Sequence, residues 1–191
     1  GGVHPPPHAG STRSENPGKR RGDQHAGQPG RGNQFRHFRN GLIVSAAVLT
    51  LDQLTKSLIL FTVMQPPRAI PVTSFFNLVL GWNRGVSFGI LNFESQLSAW
   101  LLPIAVIAII VALGVWLYRA DRLRVAAALG LIIGGAIGNL IDRLVHQSVV
   151  DFLDFYAGTY HWPAFNVADS AITLGVALLV LDALKSRPGS P

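Results

Sequence analysis

Four long apolar stretches punctuate this chain, separated by polar connectors. They are GLIVSAAVLTLDQLTKSLILFTV (41–63), QLSAWLLPIAVIAIIVALGVWLY (96–118), VAAALGLIIGGAIGNLIDRLV (125–145) and FNVADSAITLGVALLVLDAL (165–184). Each is close to the ~20 residues that a helix needs to cross ~30 Å of hydrocarbon, so the pattern predicts four membrane-spanning helices. The first is too long for a signal-peptide core and lacks a small-residue cleavage site, so it is expected to remain as a helix.

Two of the connectors carry patterns of their own. IPVTSFFNLVLGWN (70–83) is rich in β-branched and aromatic residues with partial alternation, which predicts short strands at the membrane surface. NRGVSFGIL (83–91) follows with two glycines and reads as a turn into a short interfacial helix. A connector of ~30 residues between helices is long enough to suggest a function.

Composition agrees with a membrane protein. Only 14% of residues are charged while 49% are hydrophobic, against roughly 25% charged in a typical soluble domain. Residues 1–38 are the exception: rich in Gly, Pro and basic residues, they lack the apolar content to offset their ordering entropy and are expected to be a disordered tail. The formal net charge of +6 does not imply a nucleic-acid partner, because seven of the sixteen Lys and Arg precede residue 40 and most others flank apolar segments. The run GKRR (18–21) could touch RNA or acidic lipid, but a solvated cytoplasmic tail is the preferred reading.

Charge also sets an expected orientation. Arg31, Arg36 and Arg39 precede the first helix, Arg119, Arg122 and Arg124 join the second to the third, and Lys185 and Arg187 follow the fourth. All three clusters fall on one side of a four-helix arrangement, and that side is expected to be the cytoplasm. The connectors at about 64–95 and 146–164 then face outward, with Phe75, Phe76, Trp82, Phe88, Tyr156, Tyr160 and Trp162 suited to an interfacial belt.

The polar residues within or beside the apolar segments narrow the chemistry. On the third helix Gly130, Gly134 and Gly138 recur every four residues, a ridge that admits a close helix neighbour, and Asp142 continues it. Asn139, Asp142 and Arg143 share one face at the outer end of that helix. Asp52 and Lys56, four apart on the first helix, can neutralise each other, although intramembrane ionisable groups also mark functional sites. Asn166 is a good N-cap, and Asp169 lies in the first turn of the fourth helix, where the dipole favours negative charge. Capping alone does not explain why Asn83, Arg84, Asn139, Asp142, Arg143, Asp151, Asn166 and Asp169 all fall at one membrane face. That clustering predicts an active site just inside the outer surface.

The absence of cysteine excludes a disulfide framework, a cysteine nucleophile and a thiolate metal site. His146 and His161 lack a metal-ligand partner at recognisable spacing, and Ser148 and Ser170 have no Ser–Lys arrangement on this face. Carboxylates remain. A close aspartate pair can share one proton, the ionised member acting as general base on water and the protonated member polarising a scissile carbonyl. Neither a metal nor another cofactor is expected.

Five motifs in register with the four helices carry a resemblance over about residues 41–185: DQLTK (52–56), FNLVLGWNRGVSFGIL (76–91), GGAIGNLIDRL (134–144), VVDF (149–152) and FNVADSAI (165–172). In these the chain resembles lipoprotein signal peptidase (signal peptidase II), a family of bacterial membrane aspartic proteases. The resemblance implies an all-α membrane protein, a four-transmembrane-helix bundle with a small outward-facing β-cradle and a short interfacial helix. The peptidase domain is then expected over 39–187, with a short tail at 188–191. It further implies catalytic roles for Asp151 and Asp169, with Asn83, Gly85, Asn139, Asp142, Arg143 and Asn166 contacting substrate or shaping the site. Asp52 and Lys56 match the first motif in a supporting role, and Asp154, outside the motif, is expected at the surface.

Family members remove the signal peptide from prolipoproteins, cutting before a cysteine that carries diacylglycerol. The implied partners are such substrates, membrane lipid and the cyclic peptide inhibitors of the family, and the implied location is the bacterial inner membrane. Two other readings stay open on the residues alone. One is a small four-helix transporter using an intramembrane Asp as a proton relay; the other is a membrane assembly factor whose aspartates only cap and pair.

Overall fold

A computed structural model of the chain describes residues 1–2, 31–85 and 96–185. Its elements are α1 (Arg31–Leu58), which runs on into a π-helical turn (Ile59–Val63), β1 (Ile70–Thr73), β2 (Phe76–Asn83), α2 (Gln96–Tyr118), α3 (Leu123–His146), β3 (Val149–Ala157), β4 (Tyr160–His161) and α4 (Val167–Lys185). All four α-helices are long and apolar enough to cross a membrane, as the hydropathy pattern predicts. The interfacial helix expected in 83–91 falls mostly at 86–91, outside the described residues.

The helices are unequally buried. In α3, 72% of the apolar window is buried inside the protein, against 22% for α1, 11% for α2 and 17% for α4. Thus α3 is the central helix. The outer helices expose Leu51, Phe61, Ile104, Ile109, Leu174 and Val180 among others, which suits side chains facing hydrocarbon, where the intrahelical bonds satisfy the backbone.

Small residues explain how closely α3 is approached. A methyl group on Gly134 would lie 2.5 Å from the Ser45 carbonyl oxygen of α1, and one on Gly135 would lie 2.5 Å from that of Ala168 on α4. The ridge read from the sequence therefore receives α1, and the glycine one position on receives α4. Such contact replaces the hydrophobic drive that is missing between helices in lipid.

Helix α1 begins ten residues before the expected position, so residues 31–38, read as part of the disordered tail, are helical. Tertiary contacts supply the cause. The Gln34 side-chain amide donates to the Tyr118 carbonyl at 2.9 Å, and the Phe38 ring meets the Tyr118 ring edge-on at 5.7 Å. Phe38 also packs on a core cluster formed by Leu117, Ala120, Ala126, Leu129 and Ile133.

At the opposite end of the bundle the strands form an antiparallel sheet in the order β1-β2-β3-β4. The strands expected within 70–83 are β1 and β2; β3 and β4, from the second connector, complete the small sheet. Gly81 pairs with Asp151 and Asn83 with Val149, and a bulge between Leu78 and Gly81 adds a residue to β2. A second core cluster, Ile59, Met64 and Phe152 with Ile70, Leu78, Leu80 and Val167 around it, joins the sheet to the ends of α1 and α4.

Candidate active site at the sheet end of the bundle

Helix α4 starts with a reciprocal cap. The Asn166 side-chain oxygen accepts the Asp169 amide at 2.9 Å, while Asp169 Oδ2 accepts the Asn166 amide at 3.2 Å. This is a capping box with Asp in the third helical position. The other Asp169 oxygen, Oδ1, accepts from the Asn139 side-chain amide at 2.8 Å, so α3 and α4 meet on this carboxylate.

Asp151 comes to the same place from β3. Asn166 Nδ2 donates to Asp151 Oδ1 at 2.7 Å and lies 3.2 Å from both the Val150 carbonyl and Asn139 Oδ1. Asn166 is fully buried and directly joins the two carboxylates: its side chain holds Asp151 and its backbone holds Asp169. Burial raises the Asp151 pKa above the usual carboxylate value. The Asn83 hydrogen bond opposes that shift, the neighbouring Asp169 charge adds to it, and Asn166 and the Lys56 charge oppose it.

Asn83 lies at the end of β2, where its side-chain oxygen accepts the Gly85 amide at 2.9 Å, leaving its NH2 group for Asp151. Gly85 has a φ of 82°, a left-handed turn that glycine adopts without strain. An open cleft of about 450 Å³ is lined by Gly81, Trp82, Asn83, Arg84, Asp151, Pro163 and Ala164. Asp151 thus borders a space between the sheet and the segment leading into α4.

Beneath the aspartates is a buried ionic cluster. Lys56 Nζ is 2.8 Å from Asp52 Oδ2, 2.9 Å from Asp142 Oδ2 and 3.0 Å from Asn139 Oδ1. The Asp52–Lys56 pair expected from spacing is present, but Lys56 also serves Asp142 on α3. Gln53, which sequence reasoning passed over, donates to Asp142 Oδ1 at 3.1 Å and is within 3.3 Å of Asp52 Oδ2. Arg143 donates from Nη1 to the Asn139 carbonyl at 3.1 Å, and its charge faces Asp169, Asp142 and Asp151. Its buried Nε has no partner among the described residues.

Ten residues singled out from the sequence, Asn83, Gly85, Asn139, Asp142, Arg143, Asp151, Asn166, Asp169, Asp52 and Lys56, therefore belong to one connected region. Asp154 does not. Three positions from Asp151, it points to the other face of β3. The expectation that it lies at the surface is corrected: it is 6% exposed, accepts from Asn77 at 3.0 Å and lies 2.9 Å from His161 Nδ1. Neighbouring strands supply both partners, and the His161 hydrogen bond lowers its pKa.

A four-helix membrane bundle capped by a small sheet, with two aspartates strapped together where they meet, defines a polytopic membrane protein with a paired-carboxylate centre. Residues 44–185 match the family described as signal peptidase (SPase) II. The chain belongs to that family. A lipoprotein signal peptidase of Methylorubrum extorquens (strain PA1) is 45% identical over 158 residues, covering 81% of this chain and 91% of the relative. One from Azoarcus sp. (strain BH72) is 50% identical over 153 residues, covering 78% and 85%. A solved bacterial membrane enzyme, determined by the in meso method at 1.9 Å, superposes with a TM-score of 0.67 at 34% identity, covering 77% of this chain and 94% of its own. A second, at 2.3 Å, gives 0.65 at 32% identity, covering 79% and 93%.

Proposed function

We propose that this protein is an aspartic endopeptidase of the inner membrane that removes the signal peptide from prolipoproteins, cutting before the diacylglyceryl cysteine. The observation that carries this reading is the Asn166 link between Asp151 and Asp169. Neighbouring carboxylates joined in this way can share a single proton. Burial and the Asp169 charge favour the protonated form of Asp151. Among the described residues, Asp169 accepts from two N–H donors, the Asn139 side-chain amide and the Asn166 backbone amide, which suits the role of the base.

In the reaction Asp169 takes a proton from a water molecule as the water oxygen attacks the scissile carbonyl carbon. Asp151 gives its proton to the carbonyl oxygen. As the tetrahedral intermediate collapses, its hydroxyl returns a proton to Asp151, the C–N bond breaks and Asp169 gives its proton to the leaving amine. Arg143, whose Nε has no partner among the described residues, is the group placed to satisfy a polar atom of the peptide, as unpaired ones are costly in a partly dry cleft, while Asn139 and Asn166 hold the aspartates. The same cleft would take cyclic peptide inhibitors, and the substrate's acyl chains would remain in the lipid beside it. With the basic clusters at the opposite end, both termini lie in the cytoplasm and the site faces outward.

A proton-relay transporter would concentrate polar groups at the midplane; here they gather at the sheet end. The deciding experiment is incubation of purified protein with a diacylated prolipoprotein. Mass spectrometry should find the chain shortened to the lipidated cysteine. Cleavage elsewhere, or none, rejects the proposal.

A further inference from the structure

Asp52, Lys56 and Asp142 take no part in the proton transfers just described, yet all three are 3% exposed or less. The Lys56 ammonium has three hydrogens and three acceptors, on Asp52, Asp142 and Asn139. Each carboxylate then extends to one backbone amide. Asp52 Oδ1 accepts the Ala168 N–H at 2.9 Å, one residue before Asp169. Asp142 Oδ2 accepts the Val150 N–H at 3.0 Å, one residue before Asp151. The third arm is Asn139: with its oxygen held by Lys56, its NH2 group is turned to Asp169.

We propose that Lys56 is the positioning residue of the aspartate pair, one buried cation that fixes the separation of the β3 and α4 segments carrying Asp151 and Asp169. The inference rests on the peptidase reading above. The two segments come from different elements, and the ionic cluster ties each at the residue before its aspartate. Stability alone is a weak reason to keep such a cluster, because buried ion pairs are often replaceable by apolar groups without loss. Position is a stronger one, since a displacement of ~1 Å at reacting groups can cost about a hundredfold in rate. The cation also acts at a distance: its charge favours the ionised form of Asp151.

The test is Lys56→Met, which keeps the chain's length and removes all three donors. Wild type and variant are purified in lipid nanodiscs, their folded fractions measured by thermal unfolding, and kcat, KM and the pH profile determined on a diacylated prolipoprotein. Per folded molecule, kcat should fall about a hundredfold with KM changed less than about threefold. The alkaline limb of kcat/KM, where Asp151 loses the proton it donates, should move to higher pH, because the Lys56 charge is one of the influences that lower the Asp151 pKa. A merely structural Lys56 would leave folded molecules with wild-type kcat and an unmoved limb, and that result overturns the proposal. If Lys56→Met does not fold, Asp142→Asn removes one arm's charge at constant volume; kcat should fall with KM little changed, and unaltered kcat again overturns it. Wild-type protein that cleaves no prolipoprotein defeats the peptidase reading instead.

Discussion

Asn166 and Asp169 bond each other twice, side chain to backbone in both directions, across the first turn of α4. The same Asn166 side chain holds Asp151. Helix capping and the geometry of the aspartates are therefore one arrangement. A charge at the mouth of an apolar helix is expensive; here the Asn166 backbone amide and the Asn139 side-chain amide each donate to the carboxylate.

Asn166→Ala should consequently damage both. Loss of the cap and of the buried donor to Asp151 should cost about 2 kcal/mol or more of stability. Turnover per folded molecule should also fall, since Asp151 loses its nearest anchor. Thermal unfolding and a cleavage assay on the same preparation check the two effects. Wild-type turnover in the folded variant would separate the cap from the site.

The four helices and most of the site were legible because membrane crossing and one-face clustering leave direct marks in sequence. Length and apolarity announce the helices, and offsets of three and four put Asn139, Asp142 and Arg143 together. What was missed depends on partners distant in sequence. Residues 31–38 read as a polar tail because only Tyr118 and the cluster around Leu117 make Phe38 a half-buried anchor. Asp154 read as a surface group because Asn77 and His161 reach it only after the sheet forms. Gln53, set between Asp52 and Lys56, looks like an ordinary helix former; its value lies in reaching α3. The glycine ridge hinted at that approach.

Gly138 is one of the tightest points of that approach. A methyl group there would collide with the Asp52 carboxylate, which is itself held by Lys56 and the Ala168 amide. Gly138→Ala should therefore destabilise the protein by about 1–3 kcal/mol, the usual cost of overpacking. It should also lower activity, by shifting the carboxylate that holds the chain before Asp169. Thermal unfolding in detergent, followed by kinetics on the folded fraction, reads both. Wild-type stability would mean that α1 and α3 separate more freely than the contact implies.

Membrane orientation makes a separate prediction. Reporters active only outside the cytoplasm should score positive when fused near Ala69 or Gly158, in the connectors at the sheet end. Fused after Arg122, in the basic turn before α3, they should be silent. The reverse pattern would put the aspartates on the cytoplasmic side and remove access to exported substrates.

The aspartates themselves should reveal a conflict between stability and function. Because its folded pKa is raised, Asp151 favours folding fully below the unfolded value of ~3.9, and this contribution is lost as pH rises through the folded pKa. Asp151→Asn removes the cost of ionising a buried carboxyl while keeping its shape. It should therefore unfold at a higher temperature than wild type at pH 7, with the advantage shrinking as pH approaches 4. Its turnover should nevertheless drop at least about a hundredfold, because proton transfer by a positioned side chain is worth about that or more. Asp169→Asn should lose as much, and the double variant should be little worse than either single, since groups sharing one proton act as a unit. Asp154→Asn, on the opposite face of β3, should remain active. Its acid behaviour should differ in sign: the lowered Asp154 pKa contributes stability above ~3.9 that is lost as pH falls through the folded value, so this variant should lose the wild type's added stability at neutral pH. Cleavage at near wild-type rates by folded Asp151→Asn or Asp169→Asn would reject the shared-proton mechanism, whatever the stability data showed.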